Sequence, residues 1–234
     1  MDGFRIFPTS AFSPERSAEV VEKTKIFLEV SGQGKSLEHI TQAFSATWKL
    51  LPIPNDAILS GHTFPWIESH NDLQISYSLA SMGFYKQSHS SLRSALELGL
   101  LAVYWNLEDN GPKGIKSWLK SKEDTPFSGE VFKRLNSHKN FRLFQESYDL
   151  DTEFSSLKDL HDFVHTKGAQ FSNAIPFPEN GKVRIASQRF SESSFKNWVN
   201  NFERVLRFLA SPTFRVRVTW SRIRLGSSYG SVTF

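Results

Sequence analysis

The sequence predicts an all-α protein, a multi-helix bundle, and three observations carry that prediction. Apolar residues recur at three- and four-residue steps through most of the chain. The stretches between those segments hold residues that stop helices: Gly32 and Gly34, Pro52 and Pro54, Gly83, and Asn110-Gly111-Pro112. Strict alternation of the kind a strand needs is confined to a few residues after Pro212. With 234 residues, of which 21 are Phe and 6 Trp, there is enough rigid apolar mass to bury a core. One bundle domain is expected over residues 1–212, with an arm over 213–234.

Each element has its own signal. Ser13-Pro14-Glu15 reads as a helix start, with an N-cap serine, a proline at the first helical position and an acid in the first turn. Val20, Val21, Ile26, Phe27 and Val30 follow until Ser31–Gly34. A second helix is expected over 36–51 through Leu37, Ile40, Phe44, Trp48 and Leu51, ended by Pro52 and Pro54. Pro65 opens a third through Trp66, Leu73, Tyr77 and Ala80, closing near Gly83. Ser88 is expected to cap a fourth through Leu92, Leu96, Leu100, Val103 and Leu107, stopped at Asn110-Gly111-Pro112. The third and fourth make a long antiparallel pair.

Shorter helices are expected at 114–121 and 128–138. Phe154, Leu157, Leu160, Phe163 and Val164 give an amphipathic helix from Thr152 to Gly168. Asn180-Gly181 suits the turn of a short hairpin near 176–186. The last helix, about 192–210, presents Phe195, Trp198, Val199, Phe202, Val205, Leu206 and Leu209, and Pro212 is expected to end it. Beyond Pro212, Arg215 and Arg217 alternate with Val216 and Val218, which reads as a short strand or an extended basic arm.

Composition removes several function classes. There is no cysteine, hence no disulfide framework, thiolate metal site or cysteine nucleophile. Gly32-Gln33-Gly34-Lys35 lacks the spacing of a phosphate-cradling loop, and no zinc-protease or serine-hydrolase signature occurs. The most apolar run, Ala95–Trp105, is too short to span a bilayer and contains Glu97. The first residues carry an acid and no apolar h-region, so a cytoplasmic chain without a membrane partner is expected.

Three features could carry chemistry. His161 and His165 stand four residues apart and so share one helical face. Such a pair can act in acid–base catalysis, or ligate a metal with Asp159 or Asp162 beside it, although no third ligand is identifiable and no metal or cofactor is called for. His165 can equally serve as a helix C-terminal residue whose protonated ring suits the dipole. Arg93 and Glu97 are also four apart, inside an otherwise apolar helix, either as an exposed pair or as part of a polar network reaching His165. Third, residues 204–234 hold Arg204, Arg207, Arg215, Arg217, Arg222 and Arg224, with Trp220 and Tyr229 interleaved and no acid. That charge exceeds the whole net +4 of the chain. Arg215, Arg217, Trp220, Arg222 and Arg224 suit phosphate contacts and base stacking.

A long helix bearing Leu92–Trp105, followed by a helix ending Leu160–Gly168, resembles the HEPN superfamily of helical domains from prokaryotic defence and toxin systems, over about residues 64–168. In active members of that family a helix carries an arginine, four to six intervening residues and a histidine, and two copies meet to cut RNA without metal. His165 matches the histidine, and Lys158, six residues intervening, stands where the arginine is expected. Lysine keeps the charge but lacks the planar two-pronged phosphate grip. The resemblance implies a metal-independent endoribonuclease of an RNA-targeting or phage-defence system, acting as a homodimer or as a subunit of a defence complex. His165 would be the base, Lys158 or Arg93 the cation, and Asp162 the residue orienting the ring. The rival expectation is a catalytically inactive helical subunit that binds a protein or nucleic acid.

Overall fold

The computed structural model describes residues 14–48, 63–107, 111–139, 141–142, 149–165, 167, 171–172, 177–179, 182–184 and 188–226; of these, 43–44, 46–48, 106, 111–112, 177–179, 182–184 and 211–226 are described by backbone alone. The fold is all-α. In chain order it runs α1 (Pro14–Ser31), α2 (Gln33–Trp48), α3 (Phe64–Ser81), α4 (Tyr85–Leu107), α5 (Gly111–Leu119), α6 (Ser128–Ser137), α7 (Leu150–Ser156), a single 3₁₀ turn (Leu157–Asp159) and α8 (Leu160–His165). A two-stranded hairpin and a last helix, α9 (Glu192–Gly226), follow. The two strands pair Phe177 with Arg184 and Glu179 with Lys182, antiparallel; Asn180 and Gly181, expected as their turn, lie outside the described residues.

The break between α3 and α4 shows how sequence makes local structure here. Gly83 sits at φ +80°, a conformation that any side chain resists. Its N–H donates to Ala80 O at 2.9 Å and the next N–H, of Phe84, donates to Leu79 O at 2.8 Å. This is the paired pattern of a Schellman stop, which satisfies carbonyls that the helix end would leave open. A β-carbon built at Gly83 would lie 2.4 Å from Arg189 O and 2.9 Å from Val20 Cγ1. Gly83→Ala therefore combines a strained dihedral with a backbone clash. It is expected to cost about 2 kcal/mol, read as a lower urea midpoint with unchanged slope.

Three sequence expectations are corrected. Ser88 does not cap α4: the helix starts at Tyr85, and Ser88 is buried, its hydroxyl donating back to Tyr85 O at 2.8 Å. Serine satisfies its hydroxyl on its own helix as readily as at a cap. The helix expected from Thr152 to Gly168 is two short helices joined by the 3₁₀ turn, where Leu160 N–H is shared between Leu157 O and Lys158 O. No Gly or Pro marks that tightening. Lastly, α9 does not stop at Pro212, and its backbone is helical to Gly226. An internal proline removes one hydrogen bond at about 3 kcal/mol, which a long helix can absorb, and four alternating residues are too few to define a strand.

The chain gathers into two compact units, one of Met1–Ile40, Ser69–Ala95 and Ser156–Val205, the other of Thr41–Glu68, Leu96–Ser155 and Leu206–Phe234. In the first, Ser69 Oγ donates to Ala95 O at 2.6 Å and Ser76 Oγ to Ser88 O at 2.7 Å, so α3 and α4 run in opposite directions there. Its core centres on Trp198 and Phe195, both fully buried, with Phe202, Leu73, Ala80, Leu92 and Leu160. In the second, Phe132 stacks on Phe154 at 4.2 Å and both lie near Phe208, while Trp105 meets Trp118 at 5.3 Å. No described helix is long and apolar enough to cross a membrane.

Candidate functional site

The first unit brings together four side chains from two helices. On α4, His89 and Arg93 are one turn apart and leave the helix from one face. On α8, His161 and His165 are likewise one turn apart, and their rings lie 4.2 Å between centroids at 50°. Arg93 joins the two helices: its guanidinium Nη1 reaches His161 Nδ1 at 2.5 Å. Arginine has five N–H donors and no acceptor, so this bond requires a lone pair on His161 Nδ1. The proton of the neutral ring is then on Nε2, which faces away as a donor.

The electrostatics agree with that assignment. The His161 imidazole is held below its usual range by loss of hydration, then by the positive charge of Arg93, with His165 and Lys167 adding to it and Asp162 opposing. A cationic His161 beside Arg93 is disfavoured, and the neutral donor form persists to lower pH. His165 is exposed at the end of α8, where its ring can meet a ligand from solvent.

Not every residue expected at the site joins it. Asp162 pairs with Lys167, Oδ1 to Nζ 3.1 Å, rather than with an imidazole nitrogen. Lys158 lies in the 3₁₀ turn, exposed, and its side chain makes no hydrogen bond or ion pair among the described residues. Two unbroken α-turns would put Lys158 and His165 on one helical face, and the 3₁₀ turn at Leu157–Asp159 changes that phase. Glu97 Oε1 accepts from Ser128 Oγ at 3.3 Å. The side chains of Arg215, Arg217, Trp220, Arg222 and Arg224 lie outside the described residues, as does Tyr229.

Sequence reasoning passed over His89. It is buried, with 1% of its surface exposed, and burial pushes its imidazole down to about 4. Its ring stacks on Phe163 of α8 at 3.8 Å and 3°, and Phe171 packs edge-on against Phe163 at 4.9 Å. The spacing His89-Arg93-Glu97 was the available signal, three polar residues at four-residue steps on an apolar helix. Among the described residues no group of three or more His, Asp or Glu is placed to hold a metal ion.

Comparison with protein-family models, with curated proteins and with solved structures finds no match.

Proposed function

We propose that the chain is a HEPN-like, metal-independent endoribonuclease acting through Arg93, His161 and His165. The observation that carries this reading is the Arg93–His161 bond, which sets a guanidinium and a fixed N–H donor beside a second, exposed imidazole. Metal-free cleavage of RNA needs a base for the 2′-hydroxyl and donors for the phosphate oxygens. His165 takes the 2′ proton. The 2′ oxygen attacks phosphorus, and the bond to the 5′ oxygen breaks, that oxygen taking a proton from a water whose hydroxide takes back the proton held on His165. The products are a 2′,3′-cyclic phosphate and a free 5′-hydroxyl. Arg93 and His161 Nε2–H donate to the phosphate oxygens as charge builds on them. Arg93 fills the role for which the family resemblance offered Lys158. A homodimer, or a place in a phage-defence assembly, belongs to the same proposal.

The test is cleavage of single-stranded RNA by the full chain in EDTA. The expected result is cyclic-phosphate ends, no cutting of DNA of the same sequence, and a loss on the order of a hundredfold in His165→Ala and in Arg93→Ala. Lys158→Ala is expected to lose far less. Cutting that EDTA abolishes, or that survives His165→Ala, overturns the reading. A second reading, an inactive interaction subunit, is favoured by one observation in the second unit: Phe127 is 83% exposed, close in sequence to exposed Leu119 and Lys120. Binding of RNA or protein with no cutting in any condition would select it.

A further inference from the structure

The Arg93–His161 bond requires α8 to sit at one height on α4, and α8 cannot secure that by itself. It has six residues, well under the length at which a helix holds its shape in water. A second contact lies one turn away along α4. The flat ring of His89 covers the flat ring of Phe163, two residues on from His161. The His89 ring is itself pinned: Nδ1 lies 2.7 Å from Tyr85 O and carries the proton that donates to it. Nε2 is then a buried lone pair with no hydrogen-bond partner among the described residues. A leucine or phenylalanine would fill this space without an orphaned acceptor. What leucine would lack and phenylalanine would keep is the flat face laid on Phe163, and the N–H to Tyr85 O only holds the plane of the ring that is present.

We propose that His89 is the positioning residue of this cluster, its stack on Phe163 keeping His161 Nδ1 under the Arg93 guanidinium. The proposal rests on the nuclease reading only for the use to which His161 is put. The charged and titratable groups around the positioned ring are Arg93 on α4, and Asp162, His165 and Lys167 on and just after α8. His89 touches none of the reacting groups and acts through Phe163.

The experiment reads the imidazole nitrogens of the folded, full-length chain by ¹⁵N NMR, without substrate. In the unsubstituted protein His161 is expected to show one neutral tautomer, Nε2–H. In His89→Leu, which fills the space but cannot stack, that single tautomer is lost and the His161 titration moves up as the ring leaves Arg93. His89→Phe, which restores a flat ring, keeps the His161 signals of the unsubstituted protein. Phe163→Leu removes the stack from the other side and gives the His89→Leu result, which covers the case of His89→Leu failing to fold. Unchanged His161 signals in the leucine variants, or a His89→Phe no better than His89→Leu, overturn the proposal. Because no cleavage is measured, a chain that never cuts RNA leaves this result standing. A chain that cuts RNA while His161 ignores the leucine variants keeps the activity and loses the positioning role.

Discussion

Trp198→Ala is expected to lower the free energy of unfolding by about 4 kcal/mol, a value typical of large aromatics removed from a closed core. Trp198 is completely buried, and its ring lies 5.4 Å from Phe195, 4.8 Å from Phe202 and 5.9 Å from Tyr77. These are side chains of helices, which cannot collapse into a space the size of an indole without moving backbone, so most of the cavity persists. The indole N–H also donates to Ser76 Oγ at 3.0 Å, and that hydroxyl donates onward to Ser88 O at 2.7 Å. The substitution thus also strips a partner from a buried serine in the α3–α4 pair. Thermal denaturation is the measurement, with an expected drop of roughly 10 °C. Trp198→Phe, which keeps most of the volume and loses the N–H, should fall between. A loss under about 1 kcal/mol would mean that this core is far looser than the burial implies.

Stability is also expected to fall by about 3 kcal/mol between neutral pH and pH 4 on account of His89 alone. In the folded chain the His89 ring stays neutral down to about 4, against 6.5 for an ordinary histidine. Between those two values the unfolded chain binds a proton that the folded chain does not, so stability rises with pH across that window. Above pH 7 both states are essentially uncharged, and the loss levels off only below pH 4. His161 and His70 are shifted the same way, both first through loss of hydration, and add to the slope. The isolating measurement is therefore a comparison: unfolding of the unsubstituted protein and of His89→Phe at several pH values from 7.5 to 4. The phenylalanine variant should lose stability markedly less on acidification. Parallel curves would show that His89 is hydrated enough to take its proton without unfolding.

The parts of this molecule that could be read from sequence are those governed by local chemistry. Pro14 opens α1 and Gly83 closes α3 because their own backbones demand it, and both are visible in the sequence. The apolar periodicity around Trp198 and Leu92 gave the buried faces correctly, since both side chains are fully enclosed. What escaped depends on partners remote in the chain. The 3₁₀ turn at Leu157–Asp159 carries no Gly or Pro, and nothing local separates it from an α-turn. Pro212 is a breaker by propensity, yet α9 continues past it. At the site, His161 and His165 stood out because four-residue spacing is local. Arg93 could be noticed but not paired, because the bond to His161 spans 68 residues. His89 was passed over because what marks it is a stack on Phe163, 74 residues further along the chain.

The shortness of α8 bears on how such a site can be transferred or recognised. Six residues hold two imidazoles in register only while α4 lies against them. Cut free, a peptide over 150–168 would keep the letters of the site and lose its shape. The two histidines therefore cannot be grafted as a segment onto another scaffold. Nor is their spacing alone a useful signature when other chains are scanned for the same chemistry. The transferable unit is the pairing of two helices, with His89 and Arg93 four apart on one, and His161, Phe163 and His165 at two-residue steps on the other.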